Sequence, residues 1–478
     1  MTTPLPAWLD AFRRRLGAEL IETHISWLLL AGEFAWKLKK PITLPFLDYG
    51  TPALRRRCCE EELRLNRRFA PDLYLGLEAV GDSGEWAVKM RRFPEAQRLD
   101  HVCARGGVSL AQLSGLARGL QAFHAGAAVA GPDTPFGAPD EVLAQALDNF
   151  TTLAPLLPAA APRLAELAAW TRAEFARISP QLAARKAGGR VRECHGDLHL
   201  GNLVLLDGQV TPFDCIEFSA PLRWIDVASE IAFTYVDLLD RGHPDLAGWL
   251  LNEWLAESGD FGAVPVLRFY AAYRAMVRAK VAALGGDAAR ADDYLGLAET
   301  LAAPPPPRLT ITFGLSGSGK TTRSSALLRA DPRAATLRLR SDVERKRLFG
   351  LHALADSRST ADAGIYTADA TRRTYAHLAD TAASLLAAGW SVIIDAAFLR
   401  RDERHAFQAL AAAHGARFAI LACTAPLDEL RHRLQTRRGD ASEATVAILE
   451  KQLDWVEALD DSEKALVIAP PQAPGKTA

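Results

Sequence analysis

GLSGSGKTT, residues 314–322, follows the apolar run LTITF at 309–313, and CHGDLHLGN, residues 194–202, stands far upstream of it. Gly314, Gly319, Lys320 and Thr321 complete the spacing G-x-x-x-x-G-K-[ST] between a strand pattern and a helical run. Backbone N–H groups close around phosphate oxygens only where the chain bends sharply, and glycine permits that bend.

With Ser316, Gly317, Ser318 and Thr322 the loop makes an ATP-phosphate cradle. Lys320 reaches the β- and γ-phosphates and Thr321 offers its hydroxyl to Mg²⁺. An α/β P-loop domain, doubly wound about a parallel sheet, is therefore expected over 309–467. Downstream, TLRLRSD places Asp342 and GWSVIID places Asp395 at the carboxyl ends of strands. The ligand crevice of an open parallel sheet lies there. Asp395 reads as a Mg²⁺ aspartate. Asp342 reads as the group that takes an acceptor hydroxyl's proton, with helix capping as its plainer role. LRHRLQTRRG carries Arg433 and Arg437 at i,i+4, next to Arg438. Arginines of a lid neutralise a transferring phosphoryl group; an exposed amphipathic helix is the plainer reading.

Working upstream, AAPPPPR at 302–308 can continue neither a helix nor a sheet and reads as a linker. Residues 1–301 form a separate domain in this reading, with a β-rich small lobe to about 95 and a helical lobe over 96–301. The tail 468–478 is Pro-rich without periodicity and is expected to be disordered.

The upstream stretch gives His195, Asp197 and Asn202 as HxDxxxxN, then a strand, an Asp207–Gly208 turn, a second strand and Asp214. This resembles the catalytic loop of the aminoglycoside phosphotransferase and protein-kinase-like superfamily. An aspartate there handles the acceptor proton, an amide five residues on reaches Mg²⁺, and an aspartate after the hairpin holds Mg²⁺ to the phosphates. The resemblance implies an α+β two-lobed fold, Asp197 as base, and Asn202 and Asp214 as metal ligands. It also implies that His195 braces the loop and Asp226 of WIDVASE tethers it. Ala35-Trp36-Lys37 matches the family's A-x-K strand, with Lys39 as the rival lysine. Glu62 falls in phase with the stripe Leu54, Cys58, Leu65, Phe69, where a buried carboxylate needs a cation. Two departures stand out: no glycine-rich GxGxxG precedes Lys37, and Phe213-Asp214-Cys215 lacks the glycine of protein kinases.

RSDVERKRL after the P-loop resembles zeta-toxin-like and polynucleotide-kinase-like P-loop kinases. The whole chain resembles bacterial proteins that fuse an aminoglycoside-phosphotransferase-like domain to an ATP-binding kinase domain. Composition agrees with a multidomain protein: 478 residues exceed one core. A net charge of −1 argues against nucleic acid as partner. The six cysteines form no CxxC pair, MTTPLPAWLD lacks a charged region followed by an apolar core so that no signal peptide is expected, and no apolar run is long enough for a membrane span. The expectation is a cytoplasmic tandem kinase, dependent on ATP and Mg²⁺, with a small-molecule hydroxyl as acceptor and no obligate protein partner. The alternatives are an ATP-hydrolysing P-loop switch with a ligand-binding pseudokinase domain, and a nucleotide or RNA end kinase.

Overall fold

The computed structural model describes residues 5–44, 47–355, 357, 364–436 and 441–469. Arg437, Arg438 and the tail from 470 onward lie outside the described residues. By backbone contacts the chain divides into two compact units, Met1–Asp237 with Tyr273–Ala291, and Leu238–Ala272 with Asp292–Ala478.

In the first unit, alternation writes the sheet. Five antiparallel strands lie side by side in the order Glu19–Glu22, Ser26–Ala31, Phe34–Lys39, Trp86–Arg91, Tyr74–Ala79. Side chains on a strand point alternately to its two faces. Trp36 and Leu38 join Leu9, Phe12, Trp27 and Leu29 on one face. Ala35 joins Cys59, Leu73, Tyr74, Val88 and Met90 on the other, so Lys37 and Lys39 share the face covered by the helix Pro52–Asn66. That helix starts where the sequence says it should. Thr51 Oγ1 accepts Leu54 N at 3.2 Å and Pro52 takes the first position.

The buried stripe of this helix is Arg55, Cys59, Glu62, Leu65 and Asn66, rotated from the expected Leu54, Cys58, Leu65, Phe69. Its cause is Arg55, which is buried because its guanidinium pairs with Glu85 and donates to Tyr49 O at 2.6 Å. The rest of the unit is mainly helical, with Leu110–Gly126, Pro139–Leu156 and Ala161–Ala187 among its helices, and the helix Val227–Asp240 begins in it. A hairpin of Leu203–Leu206 and Gln209–Pro212 interrupts it. Asp207 and Gly208 at the tip have φ of +49° and +79°, as a two-residue hairpin turn of this hand requires. A small antiparallel sheet with one covering helix, followed by a helical lobe, is the protein-kinase-like fold.

The second unit is built on four parallel strands in the order Thr336–Arg340, Ser391–Asp395, Arg308–Phe313, Arg417–Ala422. SVIID and LTITF are apolar almost throughout because helices cover both faces of such a sheet. The P-loop turns from the central strand Arg308–Phe313 into the helix Lys320–Arg329. Arg340 pairs with Asp395 in the ladder, which sets Asp342 and Asp395 at the same carboxyl edge as the P-loop.

The unit also takes in the helix Pro244–Ser258, upstream of the proline segment. Its Asn252 donates to Thr336 O at 3.0 Å and accepts Arg338 N at 2.7 Å, giving the edge strand a side-chain partner in place of another strand. Among the described residues, no helix is long and apolar enough to cross a membrane.

Candidate active sites

In the first unit the strand Phe34–Lys39 delivers two lysines to one carboxylate. Lys37 Nζ lies 3.0 Å from Glu62 Oε1 and also contacts Asp214 Oδ1. Lys39 Nζ contacts Glu62 Oε2 and Glu217 Oε1, and the Tyr49 hydroxyl donates to the same Glu217 oxygen. Exposure separates the two lysines. The Lys39 and Glu62 side chains are fully enclosed, whereas Lys37 is 14% and Asp214 39% exposed. Lys37 and Asp214 therefore face solvent and Lys39 does not. Burial alone would lower the Lys37 ammonium, but Asp214 and Glu62 hold it well above its ordinary value. Asp214 adopts a left-handed backbone, φ +65°, which aspartate tolerates better than most side chains.

The loop 194–202 is fixed from within and from below. Asn202 Nδ2 donates to Asp197 O at 2.9 Å and to Asp197 Oδ2 at 3.0 Å, which turns Oδ1 of the amide away from the aspartate. Burial would raise the Asp197 carboxyl. His199, followed by Arg278 and His195, brings it well below the usual carboxylate range, so it is an anion at neutral pH. His195 Nε2 donates to Phe213 O at 2.8 Å and its Nδ1 accepts Asp197 N at 3.3 Å. Both nitrogens are satisfied in one neutral tautomer, and burial holds the ring below its ordinary pKa. Gly196, at φ +91°, is obligatory: a Cβ there would stand 2.7 Å from Leu222 O.

Asp226 does not hold the loop. It forms a buried bidentate pair with Arg185, both contacts at 2.7 Å, because it ends the strand Trp224–Asp226 opposite the long helix Ala161–Ala187. The tether is Glu230, one helical turn later, whose two oxygens accept His195 N at 2.7 Å and Gly196 N at 3.0 Å. Asp237 accepts Leu200 N at 2.8 Å.

In the second unit one cavity of about 870 Å³ is lined by residues 316–323 of the P-loop and its helix, with Asp342, Asp395 and Arg433. Gly314 has φ +153°, and a Cβ there would lie 2.2 Å from Cys423 O. Gly317 and Gly319 are left-handed, at +82° and +84°. Lys320 Nζ donates to Gly314 O and Leu315 O, both at 2.9 Å, so the ammonium lies folded over its own loop. Ser316 N donates to Gln452 Oε1 at 2.8 Å, a buried contact from the helix Val446–Trp455.

Asp395 Oδ2 accepts Ser324 Oγ at 3.2 Å, with Arg340 Nε 3.8 Å away. Thr321 and Thr322 open the P-loop helix and line the same cavity. Asp342 is the second residue of the helix Ser341–Leu348, and Arg340 occupies the cap position; the capping role therefore does not belong to Asp342. Arg433 Nη1 donates to Gly317 O at 3.1 Å, in contact with the P-loop itself. Arg437 falls outside the described residues.

Glu217 and Tyr49, which hold the rival lysine Lys39, and Glu230, Asp237 and Gln452 all support these sites without having been singled out in the sequence. Glu230 had a readable signal, a carboxylate inside the apolar run WIDVASEIAF. Gln452 had none, being one polar residue among several on its helix.

Residues 309–459 match the AAA domain family. Proteins of Mycobacterium tuberculosis and Mycobacterium bovis, both described as uncharacterized, are 31% identical over 455 residues, covering 91% of this chain and 90% of theirs. Among solved structures, a choline/ethanolamine kinase family protein from Mesorhizobium loti aligns at 14% identity and a TM-score of 0.38. It covers 62% of this chain and 96% of that one. An ADP-bound aminoglycoside phosphotransferase aligns at 13% identity and a TM-score of 0.34, covering 61% of this chain and 97% of that one. At such scores neither alignment says anything about substrate.

Proposed function

We propose a function for a chain that belongs to the family of these mycobacterial proteins: a tandem phosphotransferase that uses MgATP twice, at two unrelated folds, to phosphorylate small-molecule hydroxyl groups. In the first unit Lys37, oriented by Glu62, contacts the nucleotide phosphates. Asp197 orients the acceptor hydroxyl and takes its proton late in the transfer. In the second unit the P-loop amides and Lys320 hold the phosphates, Asp342 serves the acceptor hydroxyl, and Arg433 and Arg437 neutralise the transferring group.

Both sites fit Mg²⁺, which takes oxygen ligands. Asn202 and Asp214 would hold it in the first unit, where Asp214 is the exposed end of the charged cluster. Thr321 and Asp395 would hold it in the second. When bound, the ion neutralises phosphate charge.

The observation that supports this reading best is the shared cavity, where a carboxylate outside the cap position faces the same space as the P-loop. The test is a screen of the full chain against a metabolite library and single-stranded RNA with γ-labelled ATP. Lys320→Ala should remove one set of labelled products and Asp197→Ala another. Asp342→Asn should bind MgATP normally, hydrolyse it slowly and transfer to no acceptor of the Lys320-dependent set. ATP consumption with no labelled acceptor would favour the switch and pseudokinase alternative. Label appearing only on RNA ends would favour an end kinase.

A further inference from the structure

Among the described residues, five charged side chains of the first unit form an unbroken series of ion pairs: Asp214–Lys37–Glu62–Lys39–Glu217. The series begins and ends on one short segment, because Asp214 and Glu217 are three residues apart. It runs from that segment onto the strand Phe34–Lys39, across Glu62 of the helix Pro52–Asn66, back to the strand, and down again. Lys39 and Glu217 are the enclosed half of this ring, with side-chain exposures of 0% and 3%. Neither side chain is open to a nucleotide.

We propose that Lys39 and Glu217 are positioning residues, which set the metal-holding Asp214 at a fixed distance from the phosphate-binding Lys37. The inference rests on the reading of the first unit as a MgATP site.

Two geometric facts carry it. First, Lys39 takes Oε2 of Glu62 and leaves Oε1 to Lys37, so it decides which way the shared carboxylate faces. Second, the segment 214–217 is tied down at each residue. Asp214 N donates to the Tyr74 hydroxyl at 3.0 Å, Cys215 N to Asn66 Oδ1 at 2.9 Å, and Ile216 N to His195 O at 3.1 Å. Those three ties hold the backbone. The Glu217 carboxylate, gripped by Lys39 and Tyr49, is the tie that joins the segment to the lysine strand by charge. A left-handed backbone at Asp214 persists only where its surroundings hold it, so a loosened segment should relax and carry Asp214 away from Lys37.

A buried pair of this kind can be replaced by apolar side chains of similar volume with little loss of stability, whereas removing one partner leaves a buried charge. That separates stability from positioning. The experiment uses the full chain carrying Lys320→Ala, so that the P-loop is silent, and measures ATP affinity with and without Mg²⁺. In the parent, Mg²⁺ should strengthen ATP binding.

In Lys39→Met/Glu217→Leu, which also removes the acceptor of the Tyr49 hydroxyl, the melting temperature should fall, while the Mg²⁺-dependent gain falls about tenfold or more and metal-free affinity changes much less. Glu217→Gln keeps the volume and an acceptor for Tyr49, and should show the same selective loss even if the double variant folds poorly. Lys39→Arg in the single-variant background should retain most of the gain. Parent-like Mg²⁺ enhancement in Glu217→Gln, or equal loss of affinity with and without metal, would overturn the inference. Absence of any MgATP binding in the Lys320→Ala parent would instead remove the reading beneath it.

Discussion

Glu230→Gln tests which carboxylate holds the loop 194–202. The Glu230 carboxylate is buried and accepts two backbone N–H groups, His195 at 2.7 Å and Gly196 at 3.0 Å. Hydrogen bonds to a charged group contribute about 1.5–3 kcal/mol each, and a neutral one about 1 kcal/mol. Glutamine offers one acceptor oxygen and turns an N–H toward the second amide. Two charged bonds become one neutral bond, a local loss of about 2–5 kcal/mol.

Each 1.4 kcal/mol is tenfold in an opening equilibrium, so exchange of the His195 and Gly196 amides should accelerate by about 30-fold to a few thousand-fold. Hydrogen exchange read by mass spectrometry on peptides spanning 194–200 measures this directly. Asp226→Asn is the paired control. It neutralises one side of the buried pair with Arg185 and should lower the melting temperature, because breaking a buried ion pair costs about 3–5 kcal/mol. It should not single out the two loop amides. Unchanged exchange in Glu230→Gln, or selective exposure of the loop amides in Asp226→Asn, would refute the assignment of the tether.

Four further outcomes follow from the geometry. In the Lys320→Ala background, Asp197→Ala should leave ATP affinity nearly intact while transfer falls by orders of magnitude, and Asp214→Ala should weaken MgATP binding itself; isothermal titration with a turnover assay separates the two. Gly314→Ala forces a Cβ to within 2.2 Å of Cys423 O, so P-loop nucleotide affinity should fall at least tenfold by titration. Gly415→Ala, at φ +62° with nothing within 4 Å of the new Cβ, should cost only about 1–2 kcal/mol of stability. His195 is held below its ordinary value of 6.5 by burial, so the unfolded chain takes up its proton first and stability should drop as pH falls through that value. Melting temperatures between about pH 7.5 and 5.5 should fall less steeply in His195→Asn than in the parent.

Residue types with a local signature were legible in the sequence. The P-loop glycines, the Asp207–Gly208 turn and the strands around Trp36, Val88 and Ile393 announce themselves by spacing and alternation. So did Glu62, as a carboxylate on an apolar face, although the face itself was misplaced by one residue. Arg55 is buried by pairing with Glu85, which lies thirty residues away and beyond any local pattern. The same limit hid the roles of Lys39 and Glu217. Two lysines at i and i+2 point the same way on any strand; only the tertiary fold brings a second carboxylate to the inner one. Asp226 and Glu230 were confused because both sit near the start of one helix, and sequence order cannot say which of two carboxylates a loop will meet.

The side-chain amide of Asn252 has a consequence for how such a chain can be inherited. It closes the exposed edge of the parallel sheet at Thr336 and Arg338, yet it lies on the amino-terminal side of the proline segment. A gene fragment beginning after those prolines would encode the P-loop and all four strands but leave that edge bare, open to pairing with a neighbouring copy. Recombination that shuffled this P-loop unit into another protein would have to carry the helix Pro244–Ser258 with it. The stretch of chain that completes the second fold was written into the gene before the prolines that precede its first strand.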